Sequence, residues 1–282
     1  MKSTTVRRLS VLAARACLFA VFAVFAASFL ADFPRWWIWV PLGLWVLIEC
    51  GVNRRAARGE ADALRAAAPA PVAVAAPVSG RWRALNSPAD KVPSHDTWSF
   101  GQAYAIDVVA EPEPGARPGF GWWPPARRNE AFPAFGAPLL AVADATVVRA
   151  EDGRRDHLSR TSWPAAAYLL AVEGPVRTLG GARWMLGNHV ILDLGGGIHA
   201  LYAHLRRGSL TVRTGDRVRV GETLGRCGNS GNSSEPHVHF QLMDAADPRT
   251  AHGTPFTWHG TGVPRTGEIF EAGARLTTPG GR

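Results

Sequence analysis

Lysine is almost missing from this 282-residue chain: Lys2 and Lys91 stand alone. Basic charge is therefore arginine charge, and Lys+Arg 31 against Asp+Glu 23 gives a formal net charge of +8. Such a balance suits anionic polymers such as cell-wall glycans and teichoic acids, or anionic lipid. No basic patch with interleaved aromatics accompanies it, which argues against nucleic-acid binding. Cysteine is scarce too. Cys17, Cys50 and Cys227 supply no disulfide framework and no Cys-x-x-Cys pair, and they do not fix a redox compartment. There is no internal sequence repeat.

What is present falls into three stretches. Residues 1–52 hold two apolar runs, Cys17–Ala31 and Trp36–Ile48, broken by Asp32-Phe33-Pro34-Arg35. They predict two short transmembrane helices in a hairpin, each under the ~20 residues of a usual span. Tryptophans at 36, 37, 39 and 45 suit the interfacial zones. Residues 53–78 read as an Ala/Pro-rich linker. Residues 79–282 read as one mainly β domain, with candidate strands Arg81–Leu85, Tyr104–Val109, Pro138–Ala150, His189–Leu194, Ile198–His204, Leu210–Val212 and His237–Met243. Insertions near 111–135 and 154–183 break this rhythm, the second partly helical. Rim insertions of this kind often shape a groove.

The chemistry-bearing residues sit on the candidate strands. In His237-Val238-His239-Phe240, strand alternation puts both imidazoles on one face and Val238 and Phe240 in the core. A Gly/Asn/Ser-rich loop, Gly228–Ser234, precedes them. His204 follows Tyr202-Ala203, and Asp107 lies in Tyr104-Ala105-Ile106-Asp107. With His95 upstream, these are five candidates for one site. Catalytic zinc takes three His, Asp, Glu or Cys ligands and keeps a position for water. These pieces point to a zinc hydrolase.

Several motifs in order carry a resemblance: Ala141–Val148, Gly187-Asn188-His189-Val190-Ile191, Leu201–Leu205, Val212–Val218, Gly221–Gly225 and the loop ending in His237-Val238-His239-Phe240. Together they resemble the lysostaphin/LytM-type zinc endopeptidases. The resemblance implies an antiparallel β-sandwich or open barrel and hydrolysis of stem or cross-link peptides of peptidoglycan. It also implies Zn2+ held by His239, Asp107 and a histidine upstream of that aspartate, with His204 and His237 as the catalytic histidines. The usual spacing is His-x-x-x-Asp, but position 103 is Ala103. The upstream ligand then falls to His95, in a longer form ending Gln102-Ala103-Tyr104-Ala105-Ile106-Asp107, provided that 96–102 folds back. The other reading of His95 is a loop histidine capping backbone groups.

Two competing functions stay open at this stage. Without His95 the site has two firm ligands, and the domain becomes an inactive wall-binding or regulatory module of the same fold. Val212–Gly225 also resembles the hairpins of biotinyl and lipoyl carriers, but those need a lysine at the tip and this hairpin has none. His189 and His199 read as strand-packing residues, and His157, His252 and His259 as loop residues. Trp122-Trp123 serves either to stack on sugar rings or to pin the insertion to the core. The resemblance implies an extracytoplasmic domain, and the predicted hairpin would anchor it in the membrane. The arginines flanking both ends of the predicted hairpin argue the other way, through the positive-inside rule. The cleaved bond and oligomeric state are not encoded legibly.

Overall fold

The computed structural model describes residues 34–48 and 69–273, with scattered helical positions between 13 and 28. The chain forms two compact units, Met1–Ala68 and Pro69–Arg282.

In the first unit, the second apolar run forms a 3-10 turn, Arg35–Ile38, continued by a helix over Trp39–Leu47. Pro41 falls in the helix's first turn, where its missing N–H is not needed. At 1.5 Å per residue this helix is about 14 Å long, half of a hydrocarbon core. Trp36, Trp37, Trp39, Leu44 and Leu47 are exposed, and no residue of the helix is buried. The expected membrane hairpin is therefore corrected: among the described residues, no helix is long and apolar enough to cross a membrane. Much of the first apolar run lies outside the described residues.

The second unit is built on a nine-stranded sheet. Its strands are β2 (Gly80–Ala84), β3 (Ile106–Ala110), β5 (Ala145–Glu151), β6 (Asn188–Asp193), β7 (His199–Leu205), β8 (Arg217–Val218), β10 (Val238–Met243), β11 (Gly253–Thr254) and β13 (Ile269–Ala272). The order is β13-β2-β3-β10-β7-β6-β5-β8, with β11 paired to the end of β10. All of these pairings are antiparallel. Two small sheets flank it. One joins β4 (Pro138–Leu140) to β9 (Thr223–Arg226), and the other pairs β1 (Val72–Val74) in parallel with β12 (Phe256–Trp258). β1 thus lies inside the stretch read as linker.

Period-two alternation sorts the two faces. Ile106, Val108, Val238, Phe240, Leu242, Tyr202 and Leu192 enter the main core. The opposite face carries Asp107, His239 and Gln241, beside a smaller apolar cluster of Ile191, Leu201, Ala203 and Met243. The site thus sits at the middle of the sheet.

Two strand expectations differ from what forms. Pro138–Ala150 splits into β4 and β5 because the intervening backbone bonds elsewhere: Ala141 N–H goes to Glu222 O at 2.8 Å and Val142 N–H to the Tyr202 hydroxyl at 3.0 Å. Asp144 accepts from Val220 N–H at 2.8 Å, a turn role. Leu210–Val212 is not a strand, since Leu210 N–H is taken by the Asp152 carboxylate at 3.1 Å.

The two insertions meet each other through bridges Gly121↔Ser162 and Arg127↔Ser159. In the second, Ser162 caps a helix over Trp163–Tyr168 by accepting from Ala165 N–H, with Pro164 in the first turn. A π-helical turn and two short helices continue to Leu186. They end against the loop that leads into β10. Gly187 and Gly231 abut, and a Cβ on Gly231 would stand 2.4 Å from Gly187 N and 2.6 Å from Met185 O. Only glycine allows this approach.

Candidate metal centre

β10 lies between β3 and β7, with His239 directly opposite Asp107 on one side and Ala203 on the other. Directly opposed residues point to the same face. His239 Nδ1 is 2.8 Å from Asp107 Oδ1. His95 arrives from a loop. Ser94 N–H bonds Ala103 O at 3.0 Å and the Ser94 hydroxyl donates to Ala105 O at 2.6 Å, closing the 96–102 segment back on itself. His95 Nε2 then stands 2.9 Å from Asp107 Oδ2. The donor atoms of His95, Asp107 and His239 all lie within 4.8 Å of one another, a group able to hold a metal ion.

Hydrogen bonds fix the proton on each ring. Gln241 gives its amide N–H to Phe100 O at 2.8 Å, so its Oε1 faces His239 Nε2 at 2.9 Å and must accept. That leaves an unshared pair on His239 Nδ1. The Ser94 hydroxyl has spent its proton on Ala105, so it accepts from His95 Nδ1 at 3.0 Å. That leaves an unshared pair on His95 Nε2. Two neutral imidazoles and a carboxylate thus aim lone pairs at one point, and the Asn86 amide is the donor that answers the carboxylate. A shared cation compensates all three at once. The donor set, two nitrogens and a carboxylate oxygen, fits Zn2+. The ring protons held by Gln241 and Ser94 are the outer support such ligands need.

With no cation between them, protons on the imidazoles compensate the carboxylate instead. Burial works to raise the Asp107 carboxyl, but the charges of His95 and His237 and hydrogen bonds from His239 and His95 hold it well below the ordinary carboxylate range. Burial works to lower the His95 imidazole, yet the Asp107 charge and hydrogen bond raise it above its ordinary value. Asn86 donates to Asp107 Oδ2 at 2.9 Å.

His204 and His237 complete the cluster, with ring centroids 4.8 Å apart, and His204 lies 5.7 Å from His239. Regular alternation would put His204 on the face opposite Ala203 and His239. Its φ of 62° breaks the alternation and turns the ring to the site. A non-glycine residue in the left-handed region costs about 1–2 kcal/mol. Both rings give Nδ1–H to backbone, His204 to Ser230 O and His237 to Glu235 O, each at 2.8 Å. Each Nε2 is thereby left free of backbone. Burial, then the neighbouring His237 and His239, pushes His204 well below its ordinary value, so it is neutral. His237 Nε2 stands 3.6 Å from Asp107 Oδ1, beyond hydrogen-bond reach.

The remaining candidates fall elsewhere. His189 is buried on β6 and donates to Gly187 O at 2.8 Å, His252 pairs with Asp244, and His157 lies in the second insertion. Trp122 and Trp123 are 73% and 80% exposed, so they do not pin the insertion to the core. The sequence reading missed Gln241 and Ser94. Gln241 had a signal, since it shares the face of His239 two positions on. Also missed was Arg117, whose guanidinium holds Glu235 at 2.7 and 2.5 Å and ties the first insertion to the loop before His237.

Residues 168–251 match the sequence model of peptidase family M23. Over that segment the chain resembles the M23 family. The glycyl-glycine endopeptidase ALE-1 of Staphylococcus capitis is 36% identical over 72 residues, covering 25% of this chain and 19% of that protein. The DD-carboxypeptidase/endopeptidase Mpg of Neisseria meningitidis is 36% identical over 85 residues, covering 30% of this chain and 19% of the relative. The match thus spans about a fifth of each relative's length. The antimicrobial peptidase lysostaphin from Staphylococcus simulans aligns in three dimensions at 19% identity and TM-score 0.32, covering 56% of this chain and 45% of that chain. His204, His237 and His239 lie within the M23 segment, whereas His95 and Asp107 lie outside it.

Proposed function

We propose that the second unit is a zinc-dependent endopeptidase acting on peptide bonds in peptidoglycan stems or cross-links. The observation that carries this reading is the convergence of lone pairs from His95, Asp107 and His239 beside two further histidines whose Nε2 atoms face the same place. His95, Asp107 and His239 would hold the ion, which when bound polarises a carbonyl and acidifies water. His204 and His237 are in position to take and return a proton at Nε2, each ring held in one tautomer by a backbone carbonyl. The M23 segment and the endopeptidase names of its relatives support the substrate class. A non-catalytic reading needs a missing ligand, and the position of His95 beside Asp107 weighs against it.

The deciding experiment is metal analysis and peptide hydrolysis by the full chain beside His95→Ala and His239→Ala. The reading expects about one zinc per chain, lost with activity in both variants. Zinc and activity retained in His95→Ala would remove His95 from the ligand set. Localisation follows from the substrate: the catalytic unit belongs outside the cytoplasm. A reporter fused after residue 60 and read on each side of the membrane tests that placement.

A further inference from the structure

Beside the loop that feeds β10, the second insertion borders an open cavity of about 500 Å3, lined by Arg154, Arg155, His157, Arg177, Arg183 and Trp184. Gly231 forms part of its wall. Some of this charge is already answered. Glu173 pairs with Arg160 at 2.8 Å and Arg177 at 3.2 Å, and Glu151 pairs with Arg183 at 2.8 Å. The nearby Asp152 and Asp156 carboxylates accept from backbone N–H groups of Gly208, Leu210, Arg207 and Asn229. Arg154 and Arg155 have no carboxylate partner among the described residues. Arg154 Nε is buried with no hydrogen-bond partner at all.

Arg154 is also held in place. Asn188 grips its backbone from both sides, Oδ1 to N–H and Nδ2 to the carbonyl, each at 2.7 Å. Its guanidinium lies 4.9 Å over the Trp184 ring. A half-buried guanidinium, anchored at its backbone by Asn188 and stacked on Trp184, in a cavity walled by arginine is a site for a planar anion, which the guanidinium fork can meet with parallel bonds.

We propose that this cavity binds a carboxylate of an acidic peptide, so that it selects substrates with free rather than amidated carboxyl groups. This deepens the peptidase reading and rests on it. The link to the site is direct. Gly231 walls the cavity and accepts from His157 at 2.9 Å, while the adjoining Ser230 carbonyl holds His204 Nδ1 at 2.8 Å. The loop that holds the His204 ring by its Nδ1 thus also supplies part of the cavity wall.

The test compares stem peptides carrying free carboxylates with the same peptides amidated, using the full zinc-loaded chain. Wild type should show a KM about tenfold lower for the free form, the gain of one charge-assisted pair. Arg154→Gln/Arg155→Gln should erase that ratio and leave turnover of the amidated peptide within about twofold. A ratio that survives the double substitution, or is absent from wild type, overturns the proposal. Direct binding of both peptides to the metal-stripped chain separates the two readings. Selective binding lost in the double variant, with no cleavage by the loaded enzyme, keeps the carboxylate site and sinks the peptidase. Inorganic phosphate binding more tightly than the acidic peptide would also overturn it.

Discussion

Asp107 and His239 are 132 positions apart in sequence and directly opposite each other in the sheet, with Oδ1 and Nδ1 2.8 Å apart. The pairing of β3 with β10 therefore sets the ligand geometry, and the metal need not. What remains adjustable is the proton on each imidazole, and neighbouring side chains settle that.

Gln241→Leu removes the acceptor for His239 Nε2–H while keeping the side chain buried and close in size. The freed ring can then protonate on Nδ1, the atom that faces Asp107. Zinc affinity should fall by about 10–100-fold, read by competition with a chromogenic chelator. Unchanged affinity would show that the amide does not govern the ring.

Arg117→Met leaves Glu235, 5% exposed, without its guanidinium. A buried charge stripped of its partner costs about 3–5 kcal/mol, trimmed here because Arg117 retains some solvent contact. Because the Glu235 carbonyl holds His237, kcat should drop with zinc content intact. Adding Glu235→Gln should recover much of the thermal stability, and a pair of additive losses would contradict the coupling.

At position 204 the backbone matters apart from the ring. His204→Ala and His204→Gly should both be inactive, but glycine accepts φ near 62° without penalty. Urea unfolding should find the glycine variant more stable than the alanine variant by about 1 kcal/mol. The reverse order would mean that this segment relaxes out of the left-handed region.

Acid should destabilise the second unit. Burial depresses the His157 imidazole, aided by Arg177 and Arg160, and burial likewise depresses His189, aided by Arg149 and Arg183. Such groups bind protons more readily when unfolded. Stability is then full above the unfolded value near ~6.5 and falls as pH drops below it, by at most about 1.4 kcal/mol per group per pH unit. Denaturant melts of metal-stripped protein at pH 7.5 and 5.5 measure the slope, and substituting His189 should flatten it.

Much of the site was legible because the sheet obeys alternation. Val238 and Phe240 face the core and His239 the open side, as the period of two demands. His204 was legible from the motif around it, although its backbone breaks the rule that would have placed it. The return of His95 was not, since it depends on a serine hydroxyl and a loop closing over Ala103. Strands β8 and β11 have two residues each and carry no periodicity to read. β1 hides in an Ala/Pro-rich stretch, because its pairing partner β12 lies far along the chain. The apolar run at 36–48 misled because hydropathy does not report helix length, and the helix that forms there has nine residues.

β10 is the sheet's keystone. Until it is made, β3 and β7 have no bridge between them, because each pairs with opposite edges of that one strand. A chain still emerging during synthesis lacks His239, and the strands of Asp107 and His204 are not yet joined through β10. Such a distant closure comes late in assembly. The group of His95, Asp107 and His239 is thus complete only when β10, near the end of the chain, is in place.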